Sequence, residues 1–134
     1  MPESYGELVV HLVWRTYERL PLLTQEIRPA VYSCIQDQCA DLSAGVVALG
    51  GTEDHVHLLV QLPSSLSVAV LAKRVKGASS HLVRYVLGVG EFQWQEGYGA
   101  FSVSRWDVSK IRDYVYRQAE HHAEQTLKPA LEPR

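Results

Sequence analysis

Asp54-His55-Val56-His57-Leu58-Leu59-Val60 is the stretch on which the reading turns. It is an apolar, β-branched run carrying two histidines, and such a run reads as a buried strand. Residues i and i+2 of a strand share a face. His55 and His57 therefore project side by side, and Val56 points the other way, into the core. Imidazole is a common metal ligand and binds in its neutral form. Two rings on one strand leave coordination positions for substrate and water, the plan of an open catalytic site rather than a closed structural one. Alone, a His-X-His pair is a weak motif. The same rings can simply hydrogen-bond each other or face water.

Outward from this strand, the chain has the size and composition of one globular domain. It has 134 residues, 46% hydrophobic and 21% charged, enough for a core and too apolar for disorder. No apolar run reaches membrane-spanning length. Met1-Pro2-Glu3-Ser4 lacks the basic start of a signal peptide. Cys34 and Cys39 match neither a redox nor a zinc spacing, so both read as small packing residues in a reducing, cytoplasmic setting. A net charge of −2 argues against bulk affinity for nucleic acid. Any nucleic-acid site must then be a local basic patch.

Residues 8–14 read as a first strand, apolar on both faces and hence central. Residues 24–42 read as a helix with Ile27, Val31, Ile35 and Leu42 toward the core. Pro29 suits only a helix start, which moves the start to Arg28 or Pro29. A short strand at 46–49 and a turn at 50–53 lead into the third strand, 54–62, as a hairpin. Ser67 is an N-cap candidate for a second helix running to about residue 87, with Val68, Leu71, Val75, Ala78, Leu82 and Val86 inward. After an aromatic loop at 88–99 come a fourth strand at 100–105 and a third helix at 106–125. Val108, Ile111, Val115 and Ala119 form its core face. The catalytic domain spans 1–125 and a loose tail 126–134. This β-α-β-β-α-β-α order is an α+β, ferredoxin-like antiparallel plan with one added C-terminal helix.

That last helix carries a second constellation. Tyr114 and Gln118 lie four residues apart on one face, with Lys110 before them and His121 after. A tyrosine aimed toward a metal is a candidate nucleophile. Gln118 offers a carbonyl oxygen suited to Mg²⁺ or Mn²⁺. By spacing alone, tyrosine packing and a solvated glutamine explain the pair better. On the second helix, Lys73, Lys76, Ser80 and Arg84 recur every three or four residues as a basic stripe suited to a phosphate backbone or simply to water. Gly77 within it costs roughly 1 kcal/mol against alanine, which close approach of DNA or another backbone would explain. Phe92, Trp94 and Tyr98 are either base-stacking or core aromatics, at least one of them core. His11 on the first strand either neighbours the site or, the better reading, is a satisfied core histidine.

Together these segments resemble a known family. His55-Val56-His57 is similar to the HUH motif, in which U is a bulky hydrophobe. Tyr114-Val115-Tyr116-Arg117-Gln118 resembles the Tyr-X-X-X-Gln of single-tyrosine HUH transposases, the insertion-sequence-200-like enzymes that move single-stranded DNA. Lys76-Gly77-Ala78-Ser79-Ser80, the stretch from Trp94 to Ser104, and Glu120-His121-His122 match in order. The resemblance runs from the first strand to His122.

The resemblance implies a ferredoxin-like fold, a homodimer with shared active sites, and a divalent metal, Mg²⁺ or Mn²⁺. Carried over by position, His55, His57 and Gln118 are the metal ligands and Tyr114 the nucleophile. Lys73, Lys76, Ser80 and Arg84 are the expected DNA contacts. The implied activity is that of a DNA strand transferase and endonuclease. It cleaves and rejoins single-stranded DNA at hairpin-bearing element ends through a 5′-phosphotyrosine. Two alternatives stand beside it. One is a metal-dependent phosphodiesterase using water, although His55-Val56-His57 lacks an Asp-His continuation. The other is a non-catalytic or domesticated single-stranded nucleic-acid-binding module.

Overall fold

Four strands make one antiparallel sheet in the order β2-β3-β1-β4. They are β1 (Leu8–Arg15), β2 (Gly45–Gly51), β3 (His55–Leu62) and β4 (Gly99–Val103). Three helices, α1 (Arg28–Asp41), α2 (Val68–His81) and α3 (Val108–Tyr116), cover it. The structure is a computed structural model that describes residues 8–117. Gln118, Ala119, His121, His122 and the 125/126 domain boundary lie outside the described residues. The antiparallel ferredoxin-like plan expected from the element order is the one observed.

The two faces of the sheet bury different things, and strand alternation decides which. Leu12 and Trp14 of β1 and Val56, Leu58 and Val60 of β3 face α1 and α2, forming the main core with Val31, Ile35, Leu71, Val75, Phe92 and Trp94. Val56 thus points into the core as expected. Leu59 faces the other way and joins Ala48, Ile111 and Val115 under α3. The histidines share that second face. A β-bulge helps: Val46 pairs with Val60 but Ala48 with Leu59, so Val47 is the extra residue. Val46 and Leu49 consequently serve the main core while Val47 and Ala48 serve the α3 side.

Local chemistry sets the helix starts. Pro29 occupies the first turn of α1, whose N-terminus is at Arg28. Ser67 caps α2, its hydroxyl accepting from the Val70 amide at 3.1 Å. The inward face of α2 differs from the 3.6-residue expectation. Its buried positions are Leu71, Ala72, Val75, Ser79 and, in the next turn, Val83, with a stripe at every fourth residue from Leu71 to Val83. The helix keeps that phase by widening into a π turn over Leu82–Val86, where Leu87 N donates to Leu82 O. Val86, expected inward, is therefore 67% exposed. Ser79 is fully buried because its hydroxyl donates to Val75 O at 2.6 Å and accepts from Trp94 Nε1 at 3.0 Å.

Phe92 and Trp94 are core residues, ring centroids 4.9 Å apart, and Trp94 also meets Trp14 edge-on at 5.9 Å. Tyr98 stays exposed. Cys39 is buried in the core and Cys34 half-buried, both as free thiols. Asp54, expected to open β3, instead ends the 52–54 turn. No helix among the described residues is long and apolar enough to cross a membrane.

Candidate active site

His55 and His57 lie side by side on the α3 face of β3, ring centroids 5.1 Å apart. Across the strand boundary, β1 contributes His11, whose Nε2 is 2.8 Å from His57 Nδ1. The pairing register makes this possible. His11 sits opposite Leu59 and Val13 opposite His57, so the two histidines are diagonal neighbours on one face.

Helix α3 brings the tyrosine. Ile111 and Val115 dock it on Ala48 and Leu59. Tyr114, on the same side, packs its ring edge-on against His57 with centroids 5.7 Å apart and against His11 at 6.3 Å. Close docking depends on Gly50 of β2. A Cβ there would sit 2.6 Å from the Val115 carbonyl oxygen, closer than atoms can approach. Tyr116 leaves on another face, 62% exposed, its hydroxyl donating to Val47 O at 3.3 Å. Of the two tyrosines on this helix, only Tyr114 meets the histidines.

The site is closed. His11, His55 and His57 have no exposed surface and Tyr114 only 3%. The expectation of histidines open to substrate is thereby corrected, because α3 lies over them and Tyr114 itself is part of the cover. All these groups belong to one chain, so no second copy is needed to bring Tyr114 to His57.

An orienting shell surrounds the pair. His55 Nδ1 lies 2.6 Å from Asp54 Oδ1 and 3.2 Å from Thr52 Oγ1. The Thr52 hydroxyl is also 3.0 Å from Asp54 Oδ1. The hydrogen bond from His55 holds the Asp54 carboxyl below the usual carboxylate range; partial burial opposes this, and the His55 charge and the Thr52 bond assist it. The turn is itself fixed from behind, by Thr16 N donating to Asp54 O at 2.8 Å and Leu23 N to Glu53 O at 2.9 Å.

The donor set suits a divalent cation. His55 Nδ1 is engaged by Asp54 and Thr52 and His57 Nδ1 by His11, and outer partners of this kind commonly orient histidines that bind a metal through the other ring nitrogen. Among the described residues no three His, Cys, Asp or Glu side chains are grouped to hold a metal. The expected third ligand, Gln118, is of a different type and lies outside the described residues.

The basic stripe of α2 divides on inspection. Lys73 is exposed. Arg84 lies in the π turn with its guanidinium 5.6 Å from the Tyr85 ring centre. Ser80 is half-buried beside the buried Ser79. Lys76 is committed to the fold: Nζ donates to Gln95 O and Gly97 O, each at 2.8 Å. Burial pulls its ammonium below the ordinary lysine value, with Glu96 opposing. Beyond its own helix, Gly77 has no atom of the described residues within 4 Å of where a Cβ would stand, so no described backbone explains it.

Three residues of the site carried no functional assignment from sequence. His11 requires the β1–β3 register, which pattern alone does not give. Thr52 was legible only as turn chemistry and Asp54 only as the start of a strand, although an acid directly before the first histidine was the available signal.

Fold and site together define a protein that sets a helix-borne tyrosine against a His-X-His pair on a ferredoxin-like sheet. A family model described as IS200-like transposase matches residues 4–118, and the chain belongs to that family. It is 28% identical over 116 residues to the transposase of insertion sequence IS200 from Salmonella typhimurium strain LT2, covering 82% of this chain and 76% of that one. The Salmonella typhi transposase of the same element matches to the same extent. Among solved structures, one of a Deinococcus radiodurans protein assigned as a transposase superposes with TM-score 0.68 at 25% identity, covering 88% of this chain and 98% of that one. A REP-associated tyrosine transposase bound to a REP hairpin shares the fold at TM-score 0.68 and 17% identity, covering 91% and 73%. Transposition of DNA is the activity this membership carries.

Proposed function

We propose that this transposase cleaves and rejoins single-stranded DNA at insertion-element ends through a 5′-phosphotyrosine on Tyr114, assisted by a divalent metal held by His55, His57 and Gln118. The observation that carries this reading is the packing of Tyr114 against His57, 5.7 Å between ring centroids, within one chain. A free phenol, with a pKa of about 10, is a poor nucleophile at neutral pH. Bound Mg²⁺ or Mn²⁺ would neutralise charge at the scissile phosphate. Tyr114 gives up its phenolic proton and its oxygen bonds to phosphorus. The bond from phosphorus to the 3′-oxygen breaks, and that oxygen leaves with a proton as a 3′-hydroxyl. Attack by another 3′-hydroxyl on the phosphotyrosine reverses the sequence, so strands rejoin without an external energy source.

Lys73 and Arg84 are the proposed phosphate contacts, with Ser80 between them. The REP hairpin bound by one structural neighbour supports a hairpin-bearing end as substrate. Access to the buried histidines requires α3 to lift from the sheet, and residues 104–107 join it to β4. Exchange of that helix between two copies would give the shared sites of a homodimer.

The test uses labelled single-stranded and duplex forms of one element end with Mn²⁺ or excess chelator. Cutting of the single strand alone, lost in chelator, with the 5′ fragment end bound to protein, is expected. Cutting that releases a free 5′-phosphate with no adduct would overturn the reading in favour of a water-using phosphodiesterase.

A further inference from the structure

Of the groups around the histidine pair, His11 is the one that the proposed chemistry leaves without a role. It is fully buried on β1, its Nε2 2.8 Å from His57 Nδ1, and its ring meets Tyr114 edge-on at 6.3 Å and Phe101 at 6.1 Å. His11, His57 and Tyr114 form a triangle of rings, each touching the other two, so His11 contacts both a proposed ligand and the proposed nucleophile. The two histidines are also held differently: His55 Nδ1 faces a carboxylate oxygen at 2.6 Å, whereas His57 Nδ1 faces another imidazole.

We propose that His11 is a positioning residue that accepts the Nδ1–H of His57, so that His57 presents Nε2 to the metal while the same ring braces Tyr114. The proposal rests on His55 and His57 being the metal ligands. The chemistry follows from the nitrogen count. A neutral imidazole has one N–H and one lone pair. Binding a cation through Nε2 places the proton on Nδ1, and His11 Nε2 stands 2.8 Å away to accept it. His11 must then carry its own proton on Nδ1. Asp54 does the same service for His55, its carboxylate oxygen 2.6 Å from His55 Nδ1. His11 thus fixes a tautomer and a ring plane before any cation arrives.

Two measurements on the full chain test this, with Mn²⁺ as the probe. Nitrogen-15 spectra of the metal-free, imidazole-labelled protein, recorded above the imidazole titration range, read the tautomer without substitution. His57, identified by the signals lost in His57→Ala, is expected to carry its proton on Nδ1. A proton on Nε2 would overturn the proposal. Calorimetric Mn²⁺ titration is expected to show a roughly 10–100-fold loss of affinity in His11→Phe, which accepts nothing, and recovery of most of it in His11→Gln, whose amide oxygen accepts. If His57→Ala abolishes binding while His11→Phe leaves it intact, the positioning role is wrong and the ligand assignment stands. If His57→Ala and His55→Ala both leave binding intact, the ligand assignment itself fails. Should His11→Phe not fold, the wild-type tautomer decides alone.

Discussion

Replacing Lys76 by methionine separates fold from DNA contact on the second helix. Methionine keeps the apolar stem and removes the ammonium. In the folded chain that ammonium donates to two carbonyl oxygens, Gln95 O and Gly97 O, each at 2.8 Å. Hydrogen bonds from a charged group are worth about 1.5–3 kcal/mol each when well made. Lys76 is only half-buried, so solvent screening brings each bond down to about 1 kcal/mol and the two together to about 2 kcal/mol. The loop they hold is tied further by Gln95 N to Arg15 O at 2.8 Å and by the Gln95 side chain accepting from Glu18 N at 3.0 Å. With a urea m-value of about 1–3 kcal/mol/M, Lys76→Met should lower the unfolding midpoint by about 1 M. The salt dependence of single-strand binding should hardly change. Lys73→Ala should do the reverse, leaving the midpoint in place and reducing the log–log salt slope by about 0.7, one phosphate contact. The reasoning fails if Lys76→Met flattens the slope by a full contact with no loss of stability.

Three further outcomes follow from single positions. Gly50→Ala should push α3 outward, since its Cβ would meet Val115 O at 2.6 Å. A displacement approaching 1 Å at Tyr114 should cost about 10²-fold in cleavage rate, more than it costs DNA binding; equal losses would refute the geometric cause. Gly77→Ala should raise helix stability by about 1 kcal/mol while weakening DNA affinity, because no atom of the described residues beyond its own helix opposes a Cβ there and an approaching DNA backbone would. Unchanged affinity would place Gly77 outside the interface. Tyr32 has a buried hydroxyl without a hydrogen-bond partner among the described residues, and burial raises its pKa from 10.0 to about 12, Arg28 opposing. The unfolded chain ionises first, so the stability Tyr32 contributes is fully present below pH 10 and lost as pH rises through about 12. Tyr32→Phe should flatten that alkaline loss in pH-dependent urea melts and, by removing an unsatisfied group, add about 1 kcal/mol at neutral pH. A steeper alkaline loss in the variant would contradict the sign.

The fold was legible wherever period and caps agreed. The apolar 8–14 run, Pro29, Ser67 and the 54–62 alternation each point to one local structure, and the topology follows from their order. The helix registers were less legible. Val86 lies outward and Val83 inward because a π turn changes the phase, and a 3.6-residue template has no means of detecting an added residue per turn. Of the site, the His55 and His57 pair and the Tyr114 stripe could be read because i, i+2 and i, i+4 spacings survive into three dimensions. His11 was not, since its neighbourhood depends on how β1 pairs with β3. Lys76 is a related case. Its spacing matches a surface stripe, but what holds it is a loop of roughly twenty residues further on, which spacing cannot show. Closure of the site under α3 is likewise a tertiary fact, set by Gly50 and by Ile111 and Val115.

The most direct test of the account is identification of the tyrosine that becomes attached to DNA. Both candidates share one helix, yet only Tyr114 meets the histidines; Tyr116 reaches Val47 on another face. Single-stranded element DNA should be incubated with Mn²⁺ and the wild-type, Tyr114→Phe and Tyr116→Phe proteins. The covalent adduct should then be digested and its peptide mapped by mass spectrometry. The account predicts a 5′-phosphoryl group on Tyr114, an intact adduct yield in Tyr116→Phe, and none in Tyr114→Phe despite retained folding and DNA binding. An adduct on Tyr116, or one that survives in Tyr114→Phe, would contradict it.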